Sequence, residues 1–417
     1  MRRDPITRPA VARPDEIRGR NLTSVLTLVH HDGPLTRAEL TSRLGLGRST
    51  IGALVAELTA LGVVEESVPV GGPQSGRPSH VVGPNPNGPC VLAVDISIDN
   101  AAIAAVGIGG SILQRWQLAA ERTVLTPVLV ADKVLTILAT LAGQSPAVRP
   151  VGIGISVPGT VDRQTGMVGV APNLGWHDVD VRRLLRTGVP VVVGNDADLA
   201  VLAEHVRGSG RACDDLVFLM GRYGVGAGII AGGMSLLGTA GRAGEIGHNV
   251  IDPAGRPCHC GQLGCLETYV GEEALLAQAG LPDVAAGGDV DEVFRRARAG
   301  EPRSCAAIRQ AATSLGEAVA VLANLLDPRR VVLGGMFARL LAESRADIVR
   351  AMDARSLDAS VELTAPGLGD DSALLGAAEL AFGALLSDPL SARTAAAEQV
   401  QAASNASRAV LASTPPA

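Results

Sequence analysis

Four residues in one short stretch have the types and spacing of a metal site: His248, Cys258, Cys260 and Cys265. One imidazole and three thiolates are the borderline-soft donor set that zinc accepts tetrahedrally. Four protein ligands leave no position open for water, so such a site is structural rather than catalytic. It would pin the loop carrying Glu245 to a helix starting near Glu267. His259 lies inside the cluster as an alternative to His248. The Cys-x-Cys spacing turns the intervening side chain away, which favours His248.

A second signal is the apolar run from Val191 to Gly194, closed by Asn195 and Asp196. A strand ending this way before a helix places carboxylates at the carboxyl edge of a sheet, where ligands of open α/β folds sit. There Asp196 can accept a proton from a hydroxyl. The same Asn-Asp pair also suits plain capping of the helix. A third signal, Gly224-Val225-Gly226-Ala227-Gly228, lacks the dinucleotide pattern and on its own says little about phosphate.

The whole chain limits what these residues can be. Its 417 residues leave room for two or three domains. Only eight are Phe, Trp or Tyr, which excludes base-stacking modules and aromatic sugar platforms. A ligand must be held mostly by hydrogen bonds. Charge is uneven: residues 1–88 carry ten arginines against eight acids, whereas the chain as a whole has net charge −6. The first twenty residues form a basic arm, with six arginines against three acids. A mildly basic front on an acidic body suits a nucleic-acid-binding head on a different module. The N-terminus leads into no apolar run, and no stretch of about 18 apolar residues occurs, so a cytoplasmic protein without a membrane partner is expected. In that compartment clustered cysteines mean metal rather than disulfides.

The elements that position these residues follow from periodicity. Leu22, Val25, Leu26 and Val29 share a helical face that ends at Gly33-Pro34. Thr36 and Glu39 form a capping box for a second helix ending at Gly45. A third helix runs from about Arg48 to Leu61, with Arg48, Ser49 and Thr50 on its exposed N-terminal side. Strands at 63–68 and 79–82, joined by a tip containing Arg77, complete a winged helix-turn-helix over residues 1–82. The short polar and cationic groups Arg48, Ser49, Thr50 and Arg77 are the expected DNA contacts. Residues 83–89 read as a linker. Beyond it, strands at 91–95 and 101–107 with Gly109-Gly110 are echoed by strands at 216–220 and 226–231 with Gly232-Gly233. That echo predicts a duplicated α/β domain with a cleft between its halves. Residues 388–417 read as an Ala/Ser-rich tail.

Together these segments resemble the ROK family (repressor, open reading frame, kinase) from about residue 20 to 387. Gly241-Arg-Ala-Gly-Glu245-Ile-Gly-His248, then Cys258-His-Cys260-Gly-Gln-Leu-Gly-Cys265-Leu-Glu267-Thr, resembles the family signature. Val157-Pro158-Gly159-Thr-Val161-Asp162, Pro172-Asn173-Leu-Gly175-Trp176 and Asn195-Asp196 follow in the family's order. The head, with Ser75-Gly-Arg77-Pro78, is similar to the repressor branch. The resemblance implies an actin/hexokinase-like fold over residues 90–387, with Asn173, Asn195, Asp196, Glu245, His248 and Glu267 binding sugar hydroxyls. Asp196 would correspond to the kinases' general base. His248 would give one ring nitrogen to zinc and the other to the sugar. Repressors of this family form dimers or higher oligomers, which implies a homodimer or homotetramer on a palindromic operator.

Departures from the kinase pattern count equally. Where the kinases carry Asp-x-Gly-Gly-Thr for the ATP phosphates, this chain reads Asp95-Ile-Ser97-Ile98-Asp99; where they carry Gly-Thr-Gly, it reads Arg222-Tyr223-Gly224. Glycines needed for close phosphate approach are gone. The expectation is a sugar- or sugar-phosphate-binding regulator for which ATP is not a cofactor; the alternative is a sugar kinase that also binds DNA. Arg48→Ala and Arg77→Ala are expected to weaken binding to a two-fold operator by about 1 kcal/mol or more each. Footprinting that shows a single asymmetric half-site would contradict the symmetry.

Overall fold

A computed structural model describes residues 13–68, 80–98, 100–119, 125–144, 150–162, 164–222, 224–283, 288–357 and 360–390. The wing tip with Arg77, the loop residues Asp99 and Tyr223, and the tail beyond 390 lie outside the described residues.

The head has three helices, α1 (Pro14–Asp32), α2 (Arg37–Leu44) and α3 (Arg48–Ala60), and a small sheet of β1 (Leu35–Thr36), β2 (Val64–Ser67) and β3 (Val81–Pro84). Thr36 caps α2 as its sequence predicts: its hydroxyl accepts from the Glu39 amide, and Glu39 Oε2 accepts from the Thr36 amide at 2.7 Å. Gly45 closes α2 in the left-handed region. Arg48, Ser49 and Thr50 are exposed on the first turn of α3, whose cap is Gly47. Helix α1 starts at Pro14, well before the apolar face that marks it, because Pro14 presets the first turn and Asp15 and Glu16 suit its dipole. Those first turns are largely exposed and leave no hydrophobic period.

The segment expected as a linker, 83–89, is structured. Gly83 and Pro84 belong to β3, and Asn85 then donates from Nδ2 to the Gly62 carbonyl at 2.8 Å. A side chain at Gly88 would stand 2.8 Å from that same carbonyl. The chain therefore turns tightly against the head before the body begins.

The body contains two sheets of one design. In the first, β4 (Cys90–Ile96) is flanked by antiparallel β5 (Asn100–Gly107) and β6 (Ile112–Ala119) on one side, and by parallel β7 (Pro150–Val157) and β11 (Val191–Asn195) on the other. A minor sheet of β8 (Val161–Asp162), β9 (Met167–Ala171) and β10 (Trp176–Asp180) lies between β7 and β11 in sequence. In the second large sheet, β12 (Leu216–Gly221) is flanked by antiparallel β13 (Val225–Ala231) and β14 (Met234–Ser235), and by parallel β15 (Arg330–Gly335) and β16 (Glu362–Thr364). Gly109-Gly110 and Gly232-Gly233 turn the equivalent hairpins at positive φ. This is the actin/hexokinase-like duplication.

Helices follow in the order α4 (Pro127–Gln144), α5 (Val181–Leu185), α6 (Asp196–Arg207), α7 (Glu267–Val270), α8 (Glu272–Ala279), α9 (Val290–Arg298), α10 (Pro302–Leu326), α11 (Met336–Asp353) and α12 (Ser372–Ser387). Two of them change sides. Helix α6 leaves the first sheet and packs on β12 and β13 of the second; α12 leaves the second and packs on β4 and β7 of the first. They meet where Gly376 presses on the Leu199 carbonyl, with room for no Cβ: one would fall 1.9 Å from that oxygen. Glu204 of α6, fully buried, accepts from the amides of Ser209, Gly367 and Leu368 and from the hydroxyls of Ser209 and Ser372.

The head docks on this helix pair. Arg207, the last residue of α6, donates from Nε to Glu379 Oε1 at 2.5 Å and from its terminal nitrogen to the carbonyls of His30 and Gly109. Glu379 Oε2 bonds the fully buried His30 ring of α1 at 3.0 Å. Burial works against the Glu379 charge, but His30 and Arg207 outweigh it and hold the carboxyl below its ordinary range. Gly376→Ala should force α6 and α12 apart and lower the unfolding free energy by about 1–3 kcal/mol, the usual range for overpacking. Denaturant unfolding checks this, and an unchanged midpoint would show that the crossing is loose.

Candidate ligand cleft and thiol cluster

The carboxyl ends of β4, β7 and β11 open on a cleft between the two sheets. Asn195 ends β11 and caps α6: its Oδ1 accepts from the amides of Ala197 and Asp198, and its Nδ2 donates to the Gly159 carbonyl at 3.0 Å. The capping role and the place in the cleft are therefore held by one side chain. Asp196, the first residue of α6, opens into the cleft and accepts from the Ala197 amide at 2.9 Å. Its dense surroundings raise its pKa to about 6; Arg222 opposes the rise and Asp95 adds to it. A carboxylate that titrates near neutrality is suited to exchanging a proton with a hydroxyl.

The opposite wall comes from the second half. Gly244 takes a positive φ and lies so close to the Ala227 carbonyl that a Cβ would stand 1.9 Å from it. That tight turn brings the next residue, Glu245, and then His248 to the cleft. Glu267, at the start of α7, accepts from the Val225 amide at 3.1 Å. Gly224 lies close by: a Cβ there would stand 2.7 Å from Glu267 Oε2, so a larger residue would displace that carboxylate. Asn173 completes the lining. All six side chains singled out in the sequence, Asn173, Asn195, Asp196, Glu245, His248 and Glu267, face one cleft.

The thiol cluster is next door. His248 Nδ1 stands 3.7 Å from Cys258 Sγ, and Cys260 and Cys265 sulfurs are 3.6 Å apart. One ligand atom from each of the four residues lies within 4.8 Å of all the others. Metal–sulfur bonds of about 2.3 Å at tetrahedral angles place ligand atoms roughly 3.8 Å apart, so the spacing fits a metal ion. Backbone bridges Val250–Cys265 and Pro257–Leu263 hold the loop. Burial pushes the Cys265 thiol up to about 12, whereas the Gln262 backbone draws the Cys260 thiol down; a bound cation would favour the thiolate form of both. Nδ1 of His248 faces the sulfurs, which leaves its Nε2 for the cleft.

His259, expected to turn away from the thiols, stays near them, with Nδ1 4.0 Å from Cys258 Sγ. Its Nδ1 stands 3.1 Å from Glu267 Oε1, and it lines the cleft. A second possible donor set, Cys258, His259 and Glu267, has three members against four. Sequence spacing gave no sign of the His259–Glu267 contact. Nor did it show that Arg222 reaches Asp95 across the cleft, with Nη1 3.3 Å from Oδ2.

Comparison with known proteins places the chain in a family. The model of the ROK family matches residues 91–384. The xylose repressor of Caldicellulosiruptor bescii is 27% identical over 88% of this chain and 97% of its own. The crystal structure of a ROK family transcriptional regulator, a homologue of the E. coli MLC protein, superposes with a TM-score of 0.72 at 26% identity, covering 92% of this chain and 99% of that one. A ROK family glucokinase from Streptomyces griseus, solved with glucose and AMPPNP, gives 0.59 at 31% identity and covers 70% of this chain and 99% of its own. The regulators thus match the head as well as the body, and the chain belongs to the ROK family.

Proposed function

We propose that this protein is a DNA-binding transcriptional regulator, a repressor of carbohydrate genes, whose ROK body binds a sugar without transferring phosphate to it. The observation that carries this is the course of α6. Its first residues, with their cap Asn195, stand in the cleft, and its last, Arg207, grips His30 of the head. A ligand that moves the two halves about this helix therefore acts on the head through about 18 Å of rigid rod. To change operator occupancy tenfold it needs only about 1.4 kcal/mol of differential affinity for two lobe arrangements.

In this reading Asn173, Asn195, Asp196, Glu245, His248 and Glu267 bond the sugar hydroxyls, with carboxylates accepting and the amide and imidazole groups donating. Arg48, Ser49 and Thr50 reach base edges and phosphates, and Arg77 extends the wing contact. The operator is palindromic and read by a dimer or tetramer in the cytoplasm. Among the described residues no helix is long and apolar enough to cross a membrane. Zinc sits on His248, Cys258, Cys260 and Cys265, where it supplies no open position and fixes the His248 tautomer. One zinc per chain is expected by metal analysis. Cys260→Ser should lose it together with the sugar response, because the loop bearing Glu245 is released. Protein purified without chelator and found free of zinc would remove the assignment.

One observation favours a second reading, a kinase that also binds DNA: Asp196 retains the position and the raised pKa of a general base. The two readings separate in one series. Sugars that stabilise the protein in a thermal screen are added to an operator-binding assay, with ATP turnover followed in parallel. The regulator reading expects a sugar to shift operator affinity about tenfold or more with no phosphoryl transfer. Asp196→Asn should weaken that response, and Arg207→Ala should abolish it while sugar still binds. Transfer of phosphate from ATP at an ordinary kinase rate, lost in Asp196→Asn, would establish the kinase instead.

A further inference from the structure

The cleft is acidic, and the one arginine or lysine among its described lining residues is already engaged. Asp196, Asp198, Glu245 and Glu267 line it, and Arg222 is the single arginine or lysine among the described lining residues. Arg222 follows β12 in the second half and reaches across to Asp95 of β4 in the first. Asp95 is 5% exposed, and its other oxygen accepts from Ser156 Oγ at 2.7 Å. Asp95 and Ser156 are register partners on parallel strands, so the carboxylate is fixed in direction. Asp196 and Asp370 also act on the same guanidinium. One positive charge therefore answers three carboxylates.

Three described backbone N–H groups at this end of the cleft are spent as well. The Ser97 amide donates to the Asn100 carbonyl at 2.8 Å and closes the β4–β5 turn. The Arg222 amide donates to the Gly224 carbonyl at 3.1 Å, and the Val225 amide to Glu267. A phosphate binds where free N–H groups converge and unpaired cations stand by. Here the N–H groups of Ser97, Arg222 and Val225 are bonded within the protein, and the guanidinium is paired.

We infer that the Arg222–Asp95 ion pair sets the ligand class: this cleft takes a neutral, unphosphorylated sugar and rejects the corresponding sugar phosphate. The inference rests on the sugar-binding reading above and narrows it. A neutral sugar brings one donor with every hydroxyl, and the carboxylates of Asp196, Glu245 and Glu267 accept them. A phosphate ester near neutral pH carries up to two charges and offers mainly acceptors. It would meet the carboxylates at short range, where like charges repel.

The test is titration calorimetry on the full-length, metal-replete protein. Neutral aldoses and N-acetylhexosamines are each compared with their own 6-phosphates, and the quantity read is the ratio of dissociation constants within a pair. The wild type is expected to bind the neutral member at least tenfold more tightly. Asp95→Asn keeps the shape of the side chain but removes its charge, so Arg222 is released and the ratio should fall about tenfold. Arg222→Gln should move the ratio the other way, which preserves the test if buried Asp95→Asn does not fold. Tighter binding of a phosphate ester by the wild type overturns the inference while leaving the sugar-binding reading intact, as does a ratio that neither variant changes. Failure of every member of the panel, neutral and phosphorylated, overturns the sugar-binding reading and this inference with it.

Discussion

The contact between Gly376 and the Leu199 carbonyl sets the geometry of everything around it. Two helices that have exchanged sides cross there at backbone distance. A close crossing of this kind is rigid, because neither helix has a side chain to yield. On one side of it Asn195 and Asp196 face the cleft; on the other Glu204 ties the helix to the start of α12, and Arg207 holds the head. Cleft, helix crossing and head joint are thus three stations along one 12-residue helix and its cap. Any displacement of α6 relative to α12 must appear at both of its ends.

Much of this was readable from local sequence. The thiol spacing, the Thr36–Glu39 capping box and the paired Gly-Gly turns act over a few residues, and the structure places each of them where the spacing suggests. The cleft residues were also legible, since Asn195-Asp196 and Glu245 to Glu267 each sit in a short compact motif. Contacts between residues far apart in the chain were not. His30 and Glu379 are 349 positions apart, and Arg222 and Asp95 are 127 apart. No periodicity or composition bias records such pairs. The segment 83–89 misled for a related reason: its Pro, Gly and Asn content marks a turn equally well whether that turn is loose or packed. Only its bonds to Gly62 and Val63 reveal which.

The cleft also shows how a family framework accommodates altered loops. Arg222 stands where the resemblance to the kinases implies a small residue, and an unpartnered, partly buried guanidinium would be costly there. Asp95 neutralises it and Ser156 orients Asp95, so the exchange is supported within the site itself. Of the other cleft carboxylates, Asp196 shares the field of Arg222 and Glu267 meets His259 at 3.1 Å, whereas Glu245 stands exposed. The two ends of one cleft therefore have different electrostatic character, closed at Arg222 and open at Glu245.

The docking of the head has a consequence for modularity. Leu22, Val25, Leu26 and Val29 of α1 belong to the same continuous apolar cluster as Val91, Ala104, Leu199 and Phe382 of the body. The DNA-reading unit has no private core on that side. Severed at the Pro/Gly segment, it would expose α1's inner face along with an uncompensated His30; left attached, it melts only with the sheet and helix that cover it. A winged helix of this kind is not portable. To serve on another body it would need a surface there that covers α1 as α12 and the first sheet do here.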